Sequence, residues 1–476
     1  VTRREDTRLP LIRNPLIVVF LFVVFAVAIP AAAIIKPLGG VGSPATIVSV
    51  GALVLYCFGR FVPGFLADGF QPIRAMLVAF GCVALVSYAV GQTKGLSVLE
   101  LSSMDRALIS YAGYIGLGLV VTDAVRDRRH LDRVLSFVVL GAGALSVLGI
   151  AQFMTGVAPD TWIKIPGLTL QDTDITTLRS TFNRVGATAQ HPIEFGVVLA
   201  VCLPLSLHYA IHGVGHGRPS RWRWLPVALI LIASPMAIAR SSVLGLVVGM
   251  ATIVVAWSGR YRLNALVGSV VMLAAMRAMF PGLLGTLLSM FTFFGNDPSV
   301  EGRTQDYPKV LVFFRESPWL GRGPGSFVPS EHFYLDNEYL GTLIGAGVLG
   351  VVTLVMVFIV AISLGRGVYH FSADPAARSL GQALAAACAV SMVTWTTYDG
   401  LGFRLNSGLA FILFGAVGAL WRMEVGRPRW GEEPNHRRPE IQAQAARRSK
   451  AREPLVAGAS PAGTGLSVHS STGESP

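Results

Sequence analysis

The chain has 476 residues, of which 52% are hydrophobic and only 14% charged, against roughly 25% charged in soluble domains. That deficit leaves too little polar surface to cover a globule of this size. With repeated apolar runs of about 20 residues, it excludes a cytosolic enzyme and a disordered scaffold. The formal net charge of +12 would raise nucleic acid in a soluble protein; in a membrane protein it reports topology first, and no nucleic-acid partner is expected.

In chain order, a basic N-terminal arm (residues 1–14) carries Arg3, Arg4, Arg8 and Arg13. Apolar windows follow near 15–35, 45–59, 74–92, 105–122, 134–154, 193–211, 225–239, 241–257, 264–280, 339–364, 380–397 and 406–421. The signal is weakest in the second, seventh and ninth. Backbone groups in hydrocarbon must be satisfied within their own segment, so these windows are predicted as helices. The first run is longer than the ~7–15-residue core of a signal peptide and is taken as a span. Cys57, Cys82, Cys202 and Cys388 all fall in apolar runs without CxxC spacing, which argues against a disulfide framework or a zinc site. The expectation is an all-α polytopic membrane protein: a twelve-helix domain over 15–421 and a disordered tail over 422–476, rich in Arg, Glu and Gln and then in Gly, Ser and Pro.

Twelve spans put both termini on one side. That side gathers Arg60, Arg74, Arg126, Arg128, Arg129, Arg133, Arg218, Arg221, Arg223, Arg260, Arg262, Arg366, Arg378 and the basic tail, so the termini are predicted to be cytoplasmic. Two long outer segments remain, about 155–192 and 281–338, where an activity outside the membrane would be housed.

The chain shows no P-loop, GxSxG elbow or HExxH helix, so no nucleotide or metal cofactor is expected. Charge at the outer edge stands out instead. Arg184 lies just before His191 and span six, and Arg240 sits in the tight turn between spans seven and eight. Each arginine suits either snorkelling to head groups or a fixed clamp on phosphate oxygens. In the second long segment, the stretch from Gly302 to Arg315, with Arg303, suits a short interfacial helix with Pro308 near its first turn. The turn-dense Ser317–Phe327, with Arg322, runs on to His332 and to Asp336-Asn337-Glu338-Tyr339 at the mouth of span ten. Arg303, Arg315, Arg322, His191, Asn337 and Tyr339 are candidate substrate contacts, although Tyr339 suits packing equally well. Asp336 reads either as a helix cap or as a general base toward an acceptor hydroxyl; His332 is the other candidate base.

Four features together resemble the O-antigen ligase/polymerase superfamily of bacterial membrane glycan transferases. They are the approach from Arg184 to Phe195, the Arg240-Ser241 turn, the Gly302–Phe327 stretch, and Asp336-Asn337 followed after nine residues by Gly347-Val-Leu-Gly350. The resemblance covers about residues 15–421 and is strongest from 180 to 350. It implies a GT-C-like fold and metal-independent, inverting transfer of a glycan from an undecaprenyl-pyrophosphate-type carrier to a glycan, lipid or protein acceptor outside the membrane. It gives Arg184 and Arg240 the pyrophosphate. Asp336 stands where the family usually has His, which leaves the base open between Asp336 and His332. Ligase and polymerase differ in the acceptor, and the sequence does not choose. A polysaccharide or lipid transporter or flippase is the competing class; against it stand the absence of an internal repeat and the concentration of polar residues in two outer segments.

Overall fold

The structure, a computed structural model, describes residues 14–171, 178–179, 182–214, 220–292 and 298–425, without the side chains of 178–183, 289–292 and 298–305. The arm before Asn14 and the tail beyond Val425 fall outside the described residues, and so does the expectation of tail disorder.

Every apolar window is a helix. In order they are α1 (Ile17–Ala28), α2 (Pro44–Gly59), α3 (Pro72–Gly91), α4 (Val98–Ala124), α5 (Arg128–Thr155), α6 (Pro192–His212), α7 (Leu225–Ala233), α8 (Arg240–Val254) and α9 (Gly259–Met279). Two further helices, α10 (Leu283–Thr292) and α11 (Pro298–Glu316), precede α12 (Glu338–Phe371), α13 (Pro375–Thr394) and α14 (Arg404–Glu424). By length and composition eight of these can cross a membrane: α3, α4, α5, α6, α9, α12, α13 and α14. Helix α2 adds a ninth if it is joined to the 3-10 turn Lys36–Gly42, from which it is bent by 71°. Helices α1, α7 and α8 are the remaining windows. At 12, 9 and 15 residues and 1.5 Å per residue they are shorter than the ~30 Å hydrocarbon core. The fold is an all-α polytopic membrane protein.

Local chemistry sets the helix limits. Ser97 and Glu100 form a capping box at the start of α4. Asp127 caps α5, which stops at Gly156 in the left-handed region. Pro opens α2, α3, α6 and α13, where a missing N–H costs nothing. The helix expected at 302–315 is α11, but it begins at Pro298, so Pro308 lies in its interior rather than in its first turn.

Helix α14 runs through the core with Phe411 and Phe414 fully buried, packed on α4, α12 and α13. Small residues let α12 and α13 approach closely: a Cβ on Gly365 would lie 2.8 Å from the Gly381 carbonyl oxygen, and one on Gly381 2.6 Å from that of Gly365. Helix α9 differs from the rest, with only 6% of its most apolar stretch buried and α10 as its main neighbour.

The polar contacts divide between two ends of the bundle. At one, Asp123 accepts from Arg60 (2.6 Å), Arg74 (2.9 Å) and Tyr56 (2.8 Å). Arg128 and Tyr209 share Asp132, and Arg422 donates to the Thr122 and Val125 carbonyls. The other end collects the residues around 28–45, 91–103, 184–192, 234–241, 317–341 and 394–406.

At that second end α12 is broken. Gly347 has φ 64° and ψ −165°, a conformation that favours glycine. The freed backbone groups are taken up by the turn-dense stretch before the helix: Arg322 N donates to Ile344 O (2.9 Å), Gly323 N to Gly345 O (2.8 Å), and Val348 N to Pro318 O (2.9 Å). Ser87 of α3 closes the node by donating to the Leu320 and Gly345 carbonyls.

Candidate active site

The segment that carries Arg184 and the turn that carries Arg240 are neighbours, because Val185 N donates to Met236 O at 3.3 Å. Each contains one of the two non-glycine residues with positive φ among the described residues, Ala187 (49°) and Ile238 (45°). For a β-branched residue this is strained, and such strain collects where the surroundings fix a functional geometry. Ile238 is held by burial among Met276 and Leu283; Ala187 N donates to Gln152 Oε1 at 2.7 Å. Arg184 and Arg240 are both half-buried, and Arg240 opens α8. Ser241 beside it accepts from Thr397 Oγ1 at 2.7 Å, which ties this turn to the loop between α13 and α14.

His191 caps α6, its Nδ1 accepting from Ile193 N at 3.1 Å. Burial and then the charge of Arg184 lower its pKa to about 4, so near neutral pH it is an uncharged acceptor. One turn on, the fully buried Glu194 accepts from Gln190 N (2.7 Å) and, across the bundle, from Leu405 N (2.9 Å) and Asn406 N (3.1 Å). Helix α14 has no side-chain cap of its own, and Glu194 supplies one at the positive end of its dipole. Glu194 is therefore a joint between α6 and α14.

The residues before α12 separate into two groups. His332 is held by α4 and by the preceding stretch: Nε2 meets Glu100 Oε1 at 2.9 Å and the ring stacks on Phe327 with centroids 4.8 Å apart. Arg322 reaches the same carboxylate at 3.2 Å and lies over Phe313. Arg315 is exposed on α11; the side chain of Arg303 lies outside the described residues. Asn337, not Asp336, caps α12, its Oδ1 accepting from Tyr339 N and Leu340 N. Asp336 is exposed beside it. Tyr339 turns into the bundle and donates to Met392 O at 2.7 Å, the packing alternative for that residue.

A polar cavity of about 400 Å³ opens among these segments, within the usual range of ligand sites. Its walls include Arg106, Ser110, Tyr111, Gln190, Phe327, Asn337, Glu338, Asp399 and Arg404. Of the residues singled out in the sequence Asn337 lines it, as do Phe327 at the end of the turn-dense stretch and Glu338 beside Asn337, while Gln190 and Leu335 are chain neighbours of His191 and Asp336. Arg106, Arg404 and Asp399 escaped the sequence reading. The first two sit inside or at the start of apolar windows, where a single arginine gives no periodic signal. Buried Glu338 accepts from Thr342 Oγ1 (2.7 Å) and Leu401 N (2.8 Å), which fixes the 394–404 loop against the first turn of α12.

The architecture is that of a polytopic membrane protein, an all-α bundle with a polar cavity at one end. Residues 225–355, from α7 through the break in α12, match the O-antigen ligase family (Wzy_C). The matched segment contains Arg240, Asp336, Asn337 and Gly347–Gly350. It supports the O-antigen ligase/polymerase superfamily and, with it, glycan transfer by a membrane enzyme. No curated protein matches the chain.

Proposed function

We propose that the protein transfers a glycan from an undecaprenyl-pyrophosphate-type lipid carrier to an acceptor hydroxyl on the outer face of the membrane, by inversion and without metal or ATP. The observation that carries this reading is convergence. The Arg184 segment and the mouth of α12 contribute Gln190, Leu335, Asn337 and Glu338 to one polar cavity, and the Arg240 turn is bonded to the Arg184 segment beside it, in a chain whose 225–355 segment matches the O-antigen ligase family. Arg60, Arg74, Arg128, Arg366, Arg378 and Arg422 belong to the opposite end, which supports a cytoplasmic assignment for that end and an outer one for the cavity.

In the reaction the acceptor hydroxyl gives its proton to Asp336 as its oxygen attacks the anomeric carbon. The bond from that carbon to the carrier's phosphate oxygen breaks, and the oxygen keeps the electron pair. Arg184 and Arg240 hold the departing pyrophosphate. The break in α12 does not support the transporter reading: discontinuous helices in transporters line a pathway, whereas here the gap is filled by the backbone of residues 318–323.

The test is transfer by purified protein in detergent, with a lipid-pyrophosphate oligosaccharide donor from its host and EDTA present. Wild type should release lipid pyrophosphate; Arg184→Ala, Arg240→Ala and Asp336→Ala should each lose at least about 100-fold while keeping the wild-type melting profile. Full activity in Asp336→Ala would move the base elsewhere, and a silent wild type with flux in vesicles would overturn the transferase reading.

A further inference from the structure

The cavity holds two cations that the proposed chemistry does not use. Arg106 lies in the third turn of α4, and Arg404 opens α14. Both reach the same small space over Gly40: a Cβ at that position would lie 3.3 Å from Arg106 Cδ, 3.9 Å from Arg106 Nε and 3.9 Å from Arg404 Nη2. Arg404 is anchored by two carbonyls, donating to Ala31 O and Gly40 O at 2.7 Å each. Arg106 makes one hydrogen bond, to Ser102 Oγ at 3.3 Å. Among the described residues neither forms an ion pair with a carboxylate. The contrast with the opposite end, where Asp123 serves Arg60 and Arg74 together, is informative. Charged groups at membrane depth are costly unless paired or facing a polar cavity, and two adjacent guanidinium groups raise that cost by mutual repulsion. An anion placed between them relieves both.

The rest of the wall suits a saccharide. Gln190, Asn337 and Ser110 offer neutral hydrogen-bonding groups, Asp399 accepts from hydroxyls, and the Tyr111 and Phe327 rings supply apolar faces. We infer that this cavity binds a saccharide bearing an oxyanion, with Arg106 and Arg404 on the anion. The inference rests on the glycan-transfer reading for its place in a reaction, but it is a statement about binding and can be tested apart from it. The oxyanion has two possible sources, an acidic substituent on the acceptor sugar or the phosphate of the donor.

The experiment is calorimetric titration of full-length protein in neutral detergent with methyl glucuronide, glucose 1-phosphate and methyl glucoside. At least one acidic ligand should bind tenfold or more tightly than the neutral glucoside. Arg106→Gln should abolish that difference, and Arg106→Lys should keep most of it. Tighter binding of the glucuronide identifies an acidic acceptor; tighter binding of the phosphate identifies the donor. Equal binding of all three, or an acidic preference untouched in a folded Arg106→Gln, overturns the proposal. Melting curves of both variants check the fold; among the described residues the Arg106 side chain has one hydrogen bond to lose, to Ser102 Oγ. Should transfer fail altogether while the acidic preference survives, the transferase reading falls and the site stands. Transfer that is blind to acidic groups and to Arg106 leaves the reading and removes the site.

Discussion

Asp336 and Asn337 sit side by side, and the sequence left the cap of α12 open to the first of them. The carboxylate was open to reading as a helix cap or a base; the cap is Asn337, and Asp336 is exposed beside it. Asn337→Ala should therefore cost about 1 kcal/mol, seen as a lower melting temperature in detergent, and Asn337→Asp should restore it. Asp336→Asn should abolish transfer in a protein that still folds. His191 gives a second test. Its folded-state pKa of about 4 lies below the ordinary 6.5, so between those values the unfolded chain binds the extra proton and stability rises with pH. That contribution is intact above pH 6.5 and is lost as pH falls toward 4, by at most about 3 kcal/mol. His191→Asn keeps an N-cap acceptor and should flatten the acid limb of the melting-temperature profile; an unchanged slope would count against the burial argument. Glu194 and Arg404 were illegible for the same reason as each other. Their partners lie 211 and 373 positions away, and no local pattern encodes a contact between the start of one helix and the start of another.

Among the elements, the broken α12 explains a glycine spacing that the sequence shows without a cause. A Cβ on Gly347 would fall 2.3 Å from the Trp319 carbonyl carbon, and one on Gly321 would fall 2.4 Å from that of Gly345, so both glycines are needed for backbone to lie against backbone. Gly347→Ala should remove most folded protein from the membrane fraction, since the residue is both strained and clashing. Gly367→Ala, in the same helix with open space around it, should express normally. Fluorescence size-exclusion chromatography of tagged variants reads both, and parity between them would contradict the geometry. Element existence was well encoded: all twelve windows are helices, because apolar runs in a bilayer have few other solutions. Lengths were not. The seventh window contains a Pro235 turn that stops α7 after nine residues, and hydropathy averages across such turns.

At the scale of the whole molecule, the two ends differ in what holds them. One is built on carboxylate-arginine pairs around Asp123 and Asp132; the other combines the contacts of Glu100 with Arg322 and His332 with backbone-to-backbone docking and caps. Cysteine labelling of a cysteine-free version assigns the ends. Tyr334→Cys, on a residue 80% exposed near the cavity, should react with an impermeant maleimide in intact cells. Phe61→Cys, 84% exposed at the opposite end, should react only after permeabilisation. The reverse pattern would put the site in the cytoplasm and remove the lipid-linked donor from reach. This division was half legible: arginine placement along the sequence predicted two unlike ends, but the cavity at one of them exists only once α4, α12 and α14 have met.

The docking of residues 318–323 onto α12 also orders events during synthesis. Trp319 leaves the ribosome 28 residues ahead of Gly347, roughly 1–6 s at ~5–20 residues per second. For that interval the stretch lacks its partners on α12. The Ile344 and Gly345 carbonyls, once made, depend on its N–H groups, and a bilayer offers no water in their place. The first part of α12 therefore has a stable home in hydrocarbon only after the preceding stretch has folded back beside it. The break that shapes the finished site thus makes its completion a late, post-insertion step, and a chaperone or translocon that releases α12 too early would trap the chain with its cavity unformed.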